Sequence, residues 1–507
     1  MNGNLFSYIQ DHTRDASSVA LDDTNGRICT YGDLLGLSGQ IANVLVERGV
    51  RPGDRVMVQV EKSVMAVCLY LATLRAGAVF LPLNTAYTHY EVEYFVRDAE
   101  PALLICDPSH EQALSQIAGR VGARIDTLAA DESGSLFEAA SVASPTFPTI
   151  IRQPDDLAAI LYTSGTTGRS KGAMLTHANL LSNALTLVEA WKFTKRDILI
   201  HALPIYHTHG LFVAINVSLL SGAAIKFLRK FEPDLIIELM KEATVLMGVP
   251  TFYVRLLQSP QLDNTWSGMR LFISGSAPLL AETHAEWQRR TGHAILERYG
   301  MTETNMNTSN PYDGERVAGT VGLALPGVSV RISNPDDGTP LGIDEIGMIE
   351  VKGPNVFAGY WRLPEKTAAE MRPDGFFITG DLGKIDQRGY LHILGRGKDL
   401  VITGGFNVYP KEIEEEIDAL PGVVESAIIG LPHPDFGEGV TAVVVRSPGV
   451  NIGEDDILVA IHNRLARYKL PKRILFIEAL PRNTMGKVQK NVLRDNFKDL
   501  YLHPAVG

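Results

Sequence analysis

Between residues 55 and 290, short apolar runs alternate with amphipathic stretches of helical period, and this alternation constrains the fold more than anything else in the chain. Runs at 55–60, 78–83, 103–106, 158–162, 198–203, 224–228, 244–248 and 270–274 predict strands. The segments 63–76, 90–98, 177–191, 234–242, 251–258 and 281–290 predict helices. Strands apolar on both faces must be covered on both faces, so largely parallel sheets flanked by helices are expected. Near Gly319 the pattern changes to short strands at 328–333, 347–351 and 390–394, separated by Gly, Pro and Asp, which predicts an antiparallel β subdomain over about 319–394. After Gly395 the order strand 400–403, helix 411–420, strands 426–431 and 441–446, helix 455–468, strand 473–477 predicts a compact α+β unit. The expected fold class is therefore α/β: a large N-terminal domain, 1–396, and a small mobile C-terminal domain, 397–507. Gly395-Arg-Gly-Lys-Asp399 is the expected hinge. Residues 108–152 show no clear pattern.

Composition removes several functions. A net charge of −11 argues against a nucleic-acid or anionic-membrane surface, although a local Arg/Lys cluster can still receive an anionic substrate. Three cysteines, Cys29, Cys68 and Cys106, without a CxxC pair predict neither a disulfide framework nor a zinc site. The apolar window 64–74 is too short to span a bilayer and predicts a buried helix. With no secretion signal at the N-terminus and no Ser-Lys-Leu at the C-terminus, a cytoplasmic protein is expected.

The stretch Tyr162-Thr-Ser-Gly-Thr-Thr-Gly-Arg-Ser-Lys-Gly172 follows an apolar strand. Its glycines allow turns that gather successive amides into one concavity, and its hydroxyls and cations suit phosphate. Composition alone favours a solvated Ser/Thr/Gly loop, and the order of residues and the motifs further along the chain shift the reading. It is not a Walker A loop, because Gly165 is followed five places on by Ser170 rather than by Gly-Lys-Ser/Thr. No dinucleotide fingerprint and no Gly-x-Ser-x-Gly elbow accompany it.

Further motifs follow in order: Tyr299-Gly-Met-Thr-Glu303, Thr379-Gly-Asp381, Gly395-Arg396 through Gly404-Gly405, and Pro481-Arg-Asn-Thr-Met-Gly-Lys487. With the first loop they make the chain resemble, over essentially its whole length, the adenylate-forming superfamily of acyl-CoA synthetases. The resemblance implies two steps: a carboxylate attacks the α-phosphate of ATP, then the CoA thiol attacks the acyl-adenylate. It implies ATP and Mg²⁺ as requirements and coenzyme A as co-substrate. Thr163, Ser164, Gly165, Thr166, Thr167, Gly168 and Lys171 would cradle the phosphates. Ser276, Ala277, Glu297, Arg298, Tyr299, Gly300, Met301 and Thr302 would line the nucleotide site, and Thr166 with Glu303 would hold the metal. Asp381 would accept the ribose hydroxyls with Arg396 as donor partner, and Lys487 would bridge carboxylate and α-phosphate. Rotation about Lys398 would withdraw Lys487 and bring Gly404-Gly405 beside a tunnel for CoA. Related synthetases are silenced by acetylation of that lysine, which makes a lysine acetyltransferase and deacetylase expected partners.

The acid is the remaining question. Glu297-Arg298 precedes the Tyr-Gly-Met-Thr-Glu motif, and an arginine there could offer a planar fork to a second carboxylate. Arg255 could join it, His207 and Thr208 would stand at the pocket wall, and Met306 could restrict chain length. Arg298 with His207 and Lys487 form the expected catalytic set, and Ser276 is expected to touch the acid as well. This set resembles the malonyl-CoA synthetases, which implies malonate, with methylmalonate as a second acid. At the level of sequence Arg298 could instead make a structural ion pair with Glu297. Two other functions also stay open: a synthetase for another short-chain acid, and a non-catalytic nucleotide-binding regulator.

Overall fold

The structure, a computed structural model, describes residues 2–13, 15–163, 170–262, 268–403, 406–462, 464–465, 467–483 and 486–501. Two large sheets dominate it. The first has nine strands in the order Leu323–Ala324, Asn305–Ser309, Leu296–Met301, Leu271–Ser274, Val245–Gly248, Ile198–His201, Ala224–Phe227, Val19–Asp22 and Ile28–Thr30. Its centre is parallel, from Leu296–Met301 through Val19–Asp22. The second has seven strands: Gly359–Tyr360, Lys171–Thr176, Leu157–Thr163, Val79–Pro82, Arg55–Gln59, Leu103–Cys106 and Arg124–Thr127. One continuous apolar core contains residues of both sheets and of the helix Val64–Arg75, every residue of which is buried. That burial is what an all-round apolar helix requires.

The strand Lys171–Thr176 has no counterpart in the sequence pattern. It pairs antiparallel with Leu157–Thr163, so Thr163 faces Lys171 and the glycine-rich loop joins two strands rather than a strand and a helix. Gly172 hides the strand from a propensity argument; a built Cβ there would lie 2.9 Å from Ile160 Cγ2, so close packing demands the glycine. Thr176 ends the strand and caps the helix His177–Ala190 reciprocally with Asn179. Within 108–152 the structure has helices Glu111–Gly119 and Ser135–Val142 and the strand Arg124–Thr127, whose short lengths explain their weak periodicity. The expected helix at 455–468 is shorter, Glu454–Ile461.

A four-stranded antiparallel sheet (Ser329–Ser333, Gly347–Lys352, Phe377–Ile385, Leu391–Arg396) follows, then a small C-terminal domain. The latter stacks helices Pro410–Asp418, Glu454–Ile461 and Lys490–Phe497 with five strands centred on Val423–His433 and Gly437–Arg446. In the four-stranded sheet, Glu350 is fully buried and accepts from Arg331 Nε at 2.8 Å, Arg372 Nε at 2.7 Å and Ser333 Oγ at 2.7 Å. Glu350→Ala leaves these donors without their acceptor and is expected to cost about 3 kcal/mol. A lowered urea midpoint checks this; an unchanged midpoint refutes it.

Candidate functional site

The expected residues gather along the carboxyl ends of neighbouring strands in the nine-stranded sheet, where open α/β sheets bind ligands. Leu296–Met301 leads into Thr302 and Glu303, Leu271–Ser274 into Gly275, Ser276 and Ala277, and Ile198–His201 into Tyr206–His209. At Gly300 the strand bulges against Asn305–Ser309, and a built Cβ would lie 1.8 Å from the Asn305 carbonyl oxygen. Past the bulge Met301 still pairs with Asn305, and the turn at 302–304 between the two strands carries Thr302 and Glu303. Gly300→Ala would force this turn open. The expected loss is about 1–3 kcal/mol, together with weakened nucleotide binding, checked by thermal unfolding and titration with ATP.

On the side expected to hold the nucleotide, Asp381 and Arg396 face each other across two strands of the four-stranded sheet. Asp381 Oδ1 lies 2.8 Å from Arg396 Nε, and its Oδ2 accepts from Tyr299 Oη at 2.5 Å. This carboxylate therefore ties the antiparallel subdomain to the large sheet. Glu303 is buried, and burial raises its carboxyl above the usual range. Tyr360 Oη lies 3.0 Å from Glu303 Oε1 and 2.6 Å from Glu370 Oε2. Glu370 also meets Lys171 Nζ at 3.4 Å, and that ammonium sits 4.1 Å over the Tyr360 ring. A single phenolic proton cannot satisfy two carboxylates, so Glu303 has capacity for a further positive partner. Among the described residues no cluster of three His, Cys, Asp or Glu could hold a metal alone. One carboxylate plus substrate phosphates is the usual Mg²⁺ arrangement, and Glu303 fits it. Ser164, Gly165, Thr166, Thr167, Gly168, Gly404 and Gly405 lie outside the described residues.

Lys487 arrives from the small domain. Its amide donates to Asn483 Oδ1 at 2.9 Å and its carbonyl accepts from the Asn483 amide at 3.0 Å, closing a tight turn. Gly486 occupies the left-handed region (φ 75°), and a Cβ there would lie 3.2 Å from Thr251 Cγ2 of the large domain. The turn is thus seated against the rim. Lys487 keeps contact with solvent, yet the enclosing cleft, then the Arg396 cation, draw its ammonium down to about 8. Lys398 stands in the short turn Gly397–Asp399, its ammonium also lowered by desolvation.

Arg298 lies on the side expected to receive the acid. It is 3% exposed, and its Nε and Nη2 have no hydrogen-bond partner among the described residues. Burial draws the guanidinium down to about 9, so it remains charged at neutral pH. It lies against Gly275, where a Cβ would stand 2.5 Å from Arg298 Cζ. Glu297 is not its ion-pair partner, because successive strand residues point to opposite faces. Instead Glu297 Oε1 accepts from the Leu279 amide at 3.2 Å, and burial raises its carboxyl to about 8. Around the pocket, Thr208 Oγ1, His207 Nε2 and His209 Nε2 also lack partners among the described residues. Burial lowers His207 to about 4, so it is neutral. Ser276, strained at φ 71°, places Oγ 3.3 Å from His209 Nδ1. Met306 is buried in the core beside Asn183, whose Nδ2 donates to the Met306 carbonyl at 2.9 Å.

Arg255 is the exception. It is exposed on the helix Pro250–Leu257 with its guanidinium 6.0 Å from the Phe231 ring centre, and the structure does not bring it to Arg298. The helix instead turns the fully buried Tyr253 inward, where its hydroxyl donates to the Ile273 carbonyl at 2.6 Å, near Arg298. Two helical positions are about 200° apart, so Arg255 must face away. Tyr360, Glu370, Tyr253 and Gly275 were not anticipated. Only Gly359-Tyr360 beside the apolar 356–357 pair hinted at a buried aromatic.

Comparison with known proteins bears on the family and the fold. A 36% identical malonate–CoA ligase of Arabidopsis thaliana aligns over 485 residues, 89% of this chain and 79% of its own length. The crystal structure of ATP-bound MatB from Rhodopseudomonas palustris superposes with a TM-score of 0.98 at 65% identity, covering 99% of this chain and 100% of that one. The apo structure of the same protein, with the same coverage and identity, gives 0.87, so the present structure as a whole superposes more closely on the ATP-bound one. The profile for AMP-binding enzymes matches residues 10–361, and that for their C-terminal domain matches 412–487. With the Asp381–Arg396 pair, the seated Lys487 turn and these matches in hand, the chain belongs to the AMP-binding, adenylate-forming enzyme family.

Proposed function

We propose that this enzyme makes malonyl-CoA from malonate and coenzyme A at the expense of ATP, releasing AMP and diphosphate, with methylmalonate as a second acid. The observation that carries the choice of acid is the Arg298 guanidinium, buried with two nitrogens unpartnered among the described residues. An uncompensated buried cation is costly, and a dicarboxylate whose far carboxylate reaches Arg298 removes that cost. A monocarboxylate leaves it in place. The reacting carboxylate then lies toward Lys487, whose ammonium neutralises charge as the oxygen anion closes on the α-phosphate. Asp381 and Arg396 orient the ribose, while Thr163, Lys171 and the 164–168 loop take the distal phosphates. Mg²⁺ held by Glu303, with Thr166, would supply charge neutralisation there. No covalent acyl-enzyme is needed, because the mixed anhydride is already activated toward the thiol.

For the second step, turning about Lys398 would withdraw the Gly486–Lys487 turn from Thr251 and bring Gly404-Gly405 to the CoA arm. Acetylation of Lys487, reversed by a deacetylase, would remove the cation the first step needs. An enzyme acetylated at Lys487 that still adenylates malonate would rule this out. The test of the acid is AMP and thioester formation with acetate, butyrate, benzoate, malonate, methylmalonate and succinate. Malonate is expected to lead the monocarboxylates by about a thousandfold in kcat/KM, as a site left with an unpaired charge should discriminate. Preference for any monocarboxylate overturns the proposal.

A further inference from the structure

Lys62 is buried more deeply than any other described lysine, at 7% exposure, and has no carboxylate partner among the described residues. It follows the strand Arg55–Gln59 of the seven-stranded sheet, but its Nζ crosses to the nine-stranded sheet. There it lies 2.8 Å from His201 Nδ1, 2.9 Å from the His201 carbonyl and 2.9 Å from the Leu203 carbonyl. The Phe227 ring centre is 4.3 Å away. On the other side of the imidazole, His201 Nε2 lies 2.8 Å from the Gly210 carbonyl. A carbonyl can only accept, so His201 carries its proton on Nε2 and accepts at Nδ1. Lys62 then faces three acceptors, and only an ammonium has three N–H groups to give. Every polar atom in the relay is satisfied, although burial works against the charge.

The relay ends at the acyl pocket. Gly210 packs so tightly that a Cβ would stand 2.0 Å from the Pro204 carbonyl oxygen. The segment it anchors, His207–His209 and the π-helix His209–Ile215, places His209 against Ser276 and near Arg298. Resting on the reading that this pocket receives the acid, we propose that Lys62 is a positioning residue. Through His201 and the Gly210 carbonyl it holds the His207–His209 wall in place opposite Arg298, and so sets affinity for the acid. It touches neither nucleotide nor acid itself.

Two variants test this, Lys62→Met and His201→Phe, each removing one link while keeping apolar volume. Both are expected to raise KM for malonate roughly tenfold, with KM for ATP within about twofold of wild type. If the two KM values rise together, or only kcat falls, Lys62 is merely structural and the proposal fails. A measurement on the wild-type protein stands independently of variant folding. Its ¹⁵Nζ-lysine spectrum at neutral pH should contain an ammonium signal shielded from exchange that shifts on adding malonate but not on adding ATP alone. Absence of that signal, or indifference to malonate, overturns the proposal. Wild-type turnover on the acid panel judges the choice of malonate separately. Should another acid lead there, that acid replaces malonate in both the KM and the spectral tests of Lys62.

Discussion

Replacing Arg298 by Ala is expected to lower kcat/KM for malonate about a thousandfold, from the roughly 4 kcal/mol lost when one partner of a buried charge pair is truncated. The loss should fall mainly on binding of the acid, because the far carboxylate keeps its charge while the reaction proceeds at the near one. KM for malonate should rise, and ATP-dependent release of diphosphate with small monocarboxylates should improve. The guanidinium lies against Gly275, so Gly275→Ala should reproduce part of the defect without removing the charge. Steady-state kinetics over the acid panel with both variants checks this. Unchanged malonate kinetics in Arg298→Ala would make the arginine structural.

Replacing Lys487 by Ala should divide the reaction in two. Adenylation is expected to fall by about 10²–10³, the loss for removing one donor aimed at developing negative charge. Conversion of supplied malonyl-adenylate and CoA to thioester should hardly change. Equal losses in both would refute the assigned role. The same residue sets a pH dependence. Its ammonium in the free enzyme is drawn down to about 8, and the charged form is the useful one. The value of kcat/KM for ATP should therefore be full below that pH and decline as pH rises through it. The bound triphosphate favours the cation, so the limb in kcat should lie at higher pH. Lys487→Ala should abolish the limb.

The two large sheets were legible because runs such as 103–106 and 271–274 are apolar on both faces, and only helix-covered strands tolerate that. The strand Lys171–Thr176 was not legible, since its glycine and its pairing with Leu157–Thr163 have meaning only once the partner is present. Asp381, Arg396 and Lys487 could be named from ordered motifs. The Tyr299 hydroxyl that joins Asp381 comes from 82 residues away, and no local pattern announces it.

For the acid site the division is sharper. Glu297-Arg298 showed that a cation stood beside the nucleotide motif, but an ion pair between the two remained open. The strand pleat closed it by sending the two side chains to opposite faces, one to the Leu279 amide and the other to Gly275. Helical geometry likewise removed Arg255 and substituted Tyr253. The sequence by itself determined the fold class and the phosphate-handling motifs, because these rest on local periodicity and on glycine's backbone freedom. Tertiary structure decided that Arg298 keeps two nitrogens without a partner among the described residues. That depends on what lies within a few ångströms in space, and our proposal for the acid rests on that charge.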